Sequence, residues 1–270
     1  MSDTPMIDEL EKGPWPSFVR EIRRAGEQSA TARDLINILE LSYKDKKTHW
    51  KHGGVVGVRG YGAGVIGRYV DMPAEFPGVA HFHTVRVNQT SGFVYNTKGL
   101  GEIMDIWDKR GSGMTNLHGS TGDMVLLGTN TDELEPIFTD IAEKGWDLGG
   151  SGSDLRTPSC CIGPARCEFS MIDTMDMTRE LTNYYQDELH RPAFPYKFKI
   201  KIAGCPNDCV ASIARADLSL IGTWRDNIRQ DDAEVANYVK GDEIDVLREV
   251  VMMCPTQCMD LEGEKLTIDN

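Results

Sequence analysis

At 270 residues the chain can bury one large core or two of ordinary size without disulfide staples. Its 29 basic and 42 acidic residues leave a net charge of -13, which argues against nucleic acid or an anionic membrane as main partner; any bound anion must be held by a local basic cluster. The acidic start over 1–13 lacks the order of a secretory signal, and no window approaches the apolar length of a membrane span. These features predict a cytoplasmic protein without membrane insertion, in which closely spaced cysteines hold metal or do redox work.

Trp15, Pro16, Phe18 and Ile22 read as an extended arm over 1–25 that runs into a short helix. Apolar residues at helical spacing predict a helix over 32–42. A glycine-rich strand and turn region follows over 53–69, then a strand over 79–88, a helix over 99–110, a strand over 122–127 and a helix over 131–144. This alternation predicts an α+β fold. The small-residue run 149–153 marks a boundary between a unit over 26–150 and one over 151–248. Beyond it the pattern predicts a helix over 167–189, a strand over 196–203, a short helix over 208–214 and a strand over 218–223. The acidic stretch 225–245 reads as solvated loop and helix, and 249–270 opens a further unit with Cys254 and Cys258 before ending in an unfinished strand, as a truncated sequence would.

Cys161 and Cys167 have five residues between them, and Cys205 and Cys209 have three. Zinc sites use shorter gaps in both arms and ferredoxins a run of cysteines at two-residue gaps, so neither template fits, whereas four thiolates from two turns can surround one cluster. In Cys205-Pro206-Asn207-Asp208-Cys209 the proline favours a helical first turn, whose N-terminus offers N–H groups to anionic sulfur. Cys160 adjoins Cys161, and spacing alone leaves open which of the two ligates. Lys197, Lys199 and Lys201 alternate, which on one strand puts three like charges on one face and calls for an anion opposite them.

The stretch from Arg156-Thr157-Pro158 through Cys161 and Arg166-Cys167, and that from Pro195-Tyr196-Lys197 through Cys205-Pro206-Asn207-Asp208-Cys209 to Arg215, resemble the signatures of the siroheme and 4Fe-4S sulfite and nitrite reductases. The runs 48–68, 76–87 and 111–128 resemble the dissimilatory alpha subunits in particular, and the likeness extends over about residues 10–270. It implies a ferredoxin-like α/β sandwich over 26–150, a siroheme- and 4Fe-4S-binding α+β domain over 151–248, and the start of a ferredoxin-type insert over 249–270. It also implies six-electron reduction of sulfite to sulfide at a siroheme bridged to the cluster by a cysteine thiolate, a role that falls on Cys209. Cys161, Cys167, Cys205 and Cys209 become the cluster ligands, and Arg68, Arg86, Arg156 and Arg215 the residues that meet siroheme. Lys197, Lys199, Lys201 and Arg86 are the residues that stabilise or protonate sulfite, since neighbouring cations lower a lysine's pKa and fixed charges stabilise departing oxygen.

Cys254 resembles the first ligand of a second 4Fe-4S cluster, complete only in a full-length protein, and Cys258 an ordinary thiol. The implied partners are a beta subunit in an alpha2-beta2 assembly, a small electron or sulfur carrier protein, and sulfite. Gly62, Gly64 and Gly67 fit a dinucleotide fingerprint without its later acidic residue; His81 and His83 flank an apolar strand and read as core or pocket wall, and no metal is assigned to them or to His118. The competing readings are an assimilatory sulfite or nitrite reductase, which resembles a fused double repeat where this chain holds one, and a non-catalytic iron-sulfur electron-transfer protein.

Overall fold

The computed structural model describes residues 3–13, 16–53, 64–118, 123–152, 154–190, 196–224, 228–241, 243–254 and 256–269. By contacts it divides into two units, Met1–Gly222 and Thr223–Asn270. No helix among the described residues is long and apolar enough to cross a membrane. Trp15, Pro195, Pro255 and the run 54–63, with Gly62 of the glycine pattern, lie outside the described residues.

The first unit opens with three helices: α1 (Pro5–Lys12), α2 (Pro16–Gln28) and α3 (Ala30–Asp45). The extended arm expected over 1–25 is therefore helical. Proline begins both α1 and α2, where its missing N–H costs nothing, and Val19 and Ile22 give α2 a buried side. Ser29 caps α3 by accepting from Ala32 N, and Lys46 ends it in the left-handed region.

A five-stranded antiparallel sheet follows, in the order β1 (Trp50–Gly53), β2 (Val65–Val70), β3 (His83–Val87), then β5 (Met124–Thr129) and β4 (Met114–Leu117) at the far edge. Between β3 and β4 lies α4 (Thr97–Arg110), capped by Asn96 Oδ1 on Gly99 N, and after β5 comes α5 (Leu134–Glu143), preceded by a short turn of 3-10 helix. Strand alternation divides two cores. Val65, Val85, Val87, Met124 and Leu126 pack with Ile103, Trp107, Ile137 and Ile141 of α4 and α5. Val70, Phe82 and Leu127 pack with Ile22, Leu35 and Ile38 of α2 and α3. Arg86 lies on β3 between Val85 and Val87, so its side chain leaves the sheet opposite the α4/α5 core.

The rest of this unit is a three-stranded parallel sheet, β6 (Ser159–Cys160), β7 (Ile200–Ala203) and β8 (Leu218–Ile221), with α6 (Thr174–Tyr184) and α7 (Gln186–His190) between β6 and β7, and α8 (Ser212–Arg215) between β7 and β8. Two expected helices are shorter than their patterns. Residues 167–173 form turns, because Met171 N donates to Gly204 O on a remote segment and Asp173 caps α6 by accepting from Asp176 N. The helix expected over 208–214 starts only at Ser212, since Asp208 and Ala211 both have positive φ.

The second unit holds α9 (Asp232–Lys240), capped by Asp231, a π-helical turn at Val246–Val251, and the hairpin β9 (Met259–Glu262) and β10 (Lys265–Ile268).

Candidate cofactor and anion site

Both cysteine pairs of the first unit lie where parallel strands end. Cys161 follows β6, and its N–H donates to Ile202 O of β7. Its Sγ accepts from Gly204 N at 3.2 Å, a donor suited to thiolate, and Thr174 Oγ1 stands 4.0 Å from the same sulfur. Gly163 turns the chain at φ 59, where a Cβ would overlap Thr174 Oγ1, and Cys167 N closes the turn on Gly163 O at 2.9 Å. Gly204 has no room for a side chain either: a Cβ there would overlap Ser170 Oγ and stand 3.4 Å from Cys161 Sγ. Close backbone approach at Gly163 and Gly204 therefore folds the first cysteine loop onto the end of β7.

Cys205 follows that strand and is buried, whereas Cys209 is exposed. The turn between them is held by the Asp208 carboxylate, which accepts from Ser212 N at 2.7 Å, Ser212 Oγ at 2.6 Å and Ile213 N at 3.0 Å. Among the described residues no group of three or more His, Cys, Asp or Glu converges on a single ion. A cubane makes no such demand, because each of its thiolates binds a different iron. Cys160 differs from its neighbour: it is wholly buried, and burial foremost pushes its thiol above the ordinary range. That environment suits a core thiol, whereas the Cys161 sulfur accepts an N–H.

The cations share one field across the two sheets. Arg68 has its pKa lowered by burial first and then by Arg86, and Arg156 likewise by burial and then Arg86, with Asp123 and Asp154 opposing. His118 is lowered by burial and by the charges of Arg86, Arg156, Lys199 and Lys201. Lys201 is lowered by burial, Lys199 and Arg215, with Asp208 opposing. Arg86 pairs with the fully buried Asp123, Nη1 to Oδ2 at 3.3 Å. Asp123 also helps burial to push the Tyr95 hydroxyl up to about 12. Arg156 donates from Nη2 to Gly152 O at 3.1 Å, while its buried Nε has no hydrogen-bond partner among the described residues.

The three alternating lysines have separate surroundings. Lys201 is 2% exposed and its Nζ donates to Val210 O at 2.8 Å. Lys199 is half-buried and its N–H donates to Asp217 Oδ2. Lys197 lies against Tyr196, with Nζ 3.2 Å from the hydroxyl oxygen and 4.7 Å from the ring centroid. Arg215 ends α8 and is exposed.

Asp123 and Gly204 were not singled out by the sequence pattern, His118 was weighed only as a metal ligand, and Asp208 entered only as part of the Cys205–Cys209 motif. Gly204 left a signal there, as a glycine directly before a candidate ligand. The other histidines are engaged in the fold: His83 Nδ1 accepts from Arg68 N at 3.2 Å, its Nε2 meets Thr131 Oγ1 at 2.8 Å, and that hydroxyl meets His81 Nδ1 at 3.1 Å. In the second unit Cys254 Sγ lies 3.4 Å from Thr256 Oγ1 and 3.6 Å from Cys258 Sγ. Its thiol is lowered to about 6, first by the Thr256 hydroxyl and then by the N–H groups of Cys258 and Thr256.

Donor chemistry fits the two groups implied by the motif. Four cysteines on two facing turns suit an iron-sulfur cubane, and buried cations with an unpartnered guanidinium nitrogen suit a polycarboxylate macrocycle. Residues 151–262 match the family model described as the nitrite and sulphite reductase 4Fe-4S domain. The chain is 54% identical over 295 aligned residues to the dissimilatory-type sulfite reductase subunit alpha of Nitratidesulfovibrio vulgaris, covering 99% of this chain and 68% of that one. It is 44% identical over 276 residues to the same subunit of Allochromatium vinosum, covering 99% of this chain and 66% of that one. Among solved structures, a crystal structure of dissimilatory sulfite reductase I matches with a TM-score of 0.82 at 53% identity, over 100% of this chain and 68% of that one. The chain thus spans about two thirds of the length of these relatives.

Proposed function

Because the chain belongs to the family of dissimilatory-type sulfite reductase alpha subunits, we propose that it carries siroheme and a 4Fe-4S cluster and takes part in the six-electron reduction of sulfite to sulfide. The observation that carries this reading is the set of cations around His118, gathered in an acidic chain beside the cysteine turn. Repulsion among Arg86, Arg156, Lys199 and Lys201 makes their convergence unfavourable unless an anion offsets it.

Cys161, Cys167, Cys205 and Cys209 would hold the cluster, with Cys209 the thiolate shared with siroheme iron. Arg68, Arg86, Arg156 and Arg215 would meet the macrocycle's carboxylates. When bound, the siroheme and cluster together supply the electrons and the iron position at which sulfite is reduced. Arg86 and Lys199 orient the oxyanion and stabilise charge on its oxygens, and Lys197 adds a further cation to them. His118, whose pKa is lowered first by burial and then by the surrounding cations, gains proton affinity when an anion enters and offsets them, so it can hold a proton beside the departing oxygen.

In this reading Cys254 is a ligand of a second 4Fe-4S cluster, a beta subunit completes an alpha2-beta2 assembly, and a small electron or sulfur carrier protein serves it in the cytoplasm. Anaerobic co-expression with that subunit tests the central claim. Expected are a Soret band, a red band, and magnetic coupling between haem and cluster that Cys209→Ser abolishes. A colourless protein, or a bare cluster spectrum, refutes the siroheme assignment.

A further inference from the structure

Lys201 poses a problem that a substrate role does not solve. It is among the largest fully buried side chains, at 2% exposure, and an ammonium withdrawn from water costs several kcal/mol unless it is compensated. Its ammonium donates to the carbonyl of Val210, at 2.8 Å, immediately after Cys209. Two charges bearing on it, Lys199 and Arg215, are repulsive, and Asp208 opposes them. Asp208 is already committed to Ser212 and Ile213.

The segment that Lys201 holds is itself strained. Asp208 at φ 45 and Ala211 at φ 51 are non-glycine residues in the left-handed region, and such backbone persists only where its surroundings over-determine it. Asp208 fixes the outer side of the turn by capping Ser212 and Ile213. From within the sheet, β7 sends the Lys201 side chain to the carbonyl between the two strained residues.

We infer that Lys201 is a positioning residue for the cluster: it pins the Cys205–Cys209 turn through Val210 O and supplies a fixed positive charge at that turn. This rests on the proposed reading of the four cysteines. A cubane with four thiolates is net negative and becomes more so on reduction, so a fixed cation favours the reduced state and raises the potential. The negative charge of the cluster in turn offsets the Lys201 burial cost when the cluster is in place.

The test uses the full chain, reconstituted anaerobically with iron and sulfide, as wild type, Lys201→Arg, Lys201→Gln and Lys201→Met. Iron content, circular dichroism and an EPR-monitored redox titration are read for each. Expected is at least a twofold loss of cluster in K201M, a lower midpoint potential in both K201M and K201Q, and near wild-type values in K201R. K201Q, which still donates to Val210 O, should load better than K201M. Wild-type loading and potential in folded K201M overturn the role, as does a K201R that folds but loads no better than K201M. If K201M does not fold, K201Q is judged by its potential alone. A wild-type chain that takes up no cluster strikes instead at the assignment of the four cysteines.

Discussion

Replacing Arg86 by methionine should destabilise the cofactor-free protein substantially, and the reason lies in Asp123. That carboxylate is completely buried, and Arg86 Nη1 stands 3.3 Å from its Oδ2. At this separation and an effective dielectric near 20, the pair attraction is about 5 kcal/mol. Repulsion of Arg86 by Arg68 and Arg156 acts the other way, but for both of those residues it ranks below burial as a cause of the lowered pKa. Contact attraction should therefore win. Removing one partner of a buried pair costs about 3–5 kcal/mol, so R86M should melt roughly 10 °C below wild type. R86M/D123N should recover most of that loss, because an amide is cheaper to bury than an unbalanced carboxylate. The double variant then separates the two tasks of Arg86, for it should fold well and yet bind siroheme or sulfite poorly. Thermal melts of the four proteins of the cycle decide the point. An R86M within about 1 kcal/mol of wild type, or a double variant as unstable as the single, refutes the reasoning.

Gly204→Ala should lower cluster content at least several-fold, because its Cβ overlaps Ser170 Oγ; adding Ser170→Ala should restore part of it, as iron analysis will show. His83 is pushed down to about 4 by burial and then by His81, so it stays neutral in the fold while the unfolded chain takes up a proton. Its folded pKa lies below the unfolded value, so stability falls as pH drops from about 6.5 to 4, by about 3 kcal/mol in all. His83→Asn, which keeps an acceptor for Arg68 N but does not titrate, should lack that loss in pH-dependent melts. Asp154 is raised to about 6, chiefly by burial, so its ionisation costs stability as pH climbs from about 4 to 6. Asp154→Asn should be up to about 3 kcal/mol more stable than wild type at pH 7 and equal to it below pH 4; equal melts at both pH values would remove the penalty.

What the sequence made legible divides along a physical line. Helix periodicity and capping are local, so α4 lies within two residues of its expected span over 99–110, and Ser29, Asn96 and Asp173 start their helices by bonds reaching three residues. Cysteine spacing is local too, and it isolates the two turns that the structure sets at the ends of β6 and β7. Features that depend on a distant segment were not legible. The turns over 167–173 displace an expected helix because Met171 N finds Gly204 O, and Asp123 counters an arginine 37 residues away. The lysines show the limit most sharply. Alternation places Lys197, Lys199 and Lys201 on one face only if a strand runs through all three, but β7 begins at Ile200. Upstream of it the backbone follows other partners: Phe198 N donates to Asp154 O, and Lys199 O accepts from Asp217 N and Leu218 N. A single two-residue rhythm thus yields one lysine on a tyrosine ring, one half-buried among the cations, and one sealed beneath a cysteine turn. Three residues of one type at one spacing can therefore have three tasks, and substituting them one at a time, rather than together, is what can tell those tasks apart.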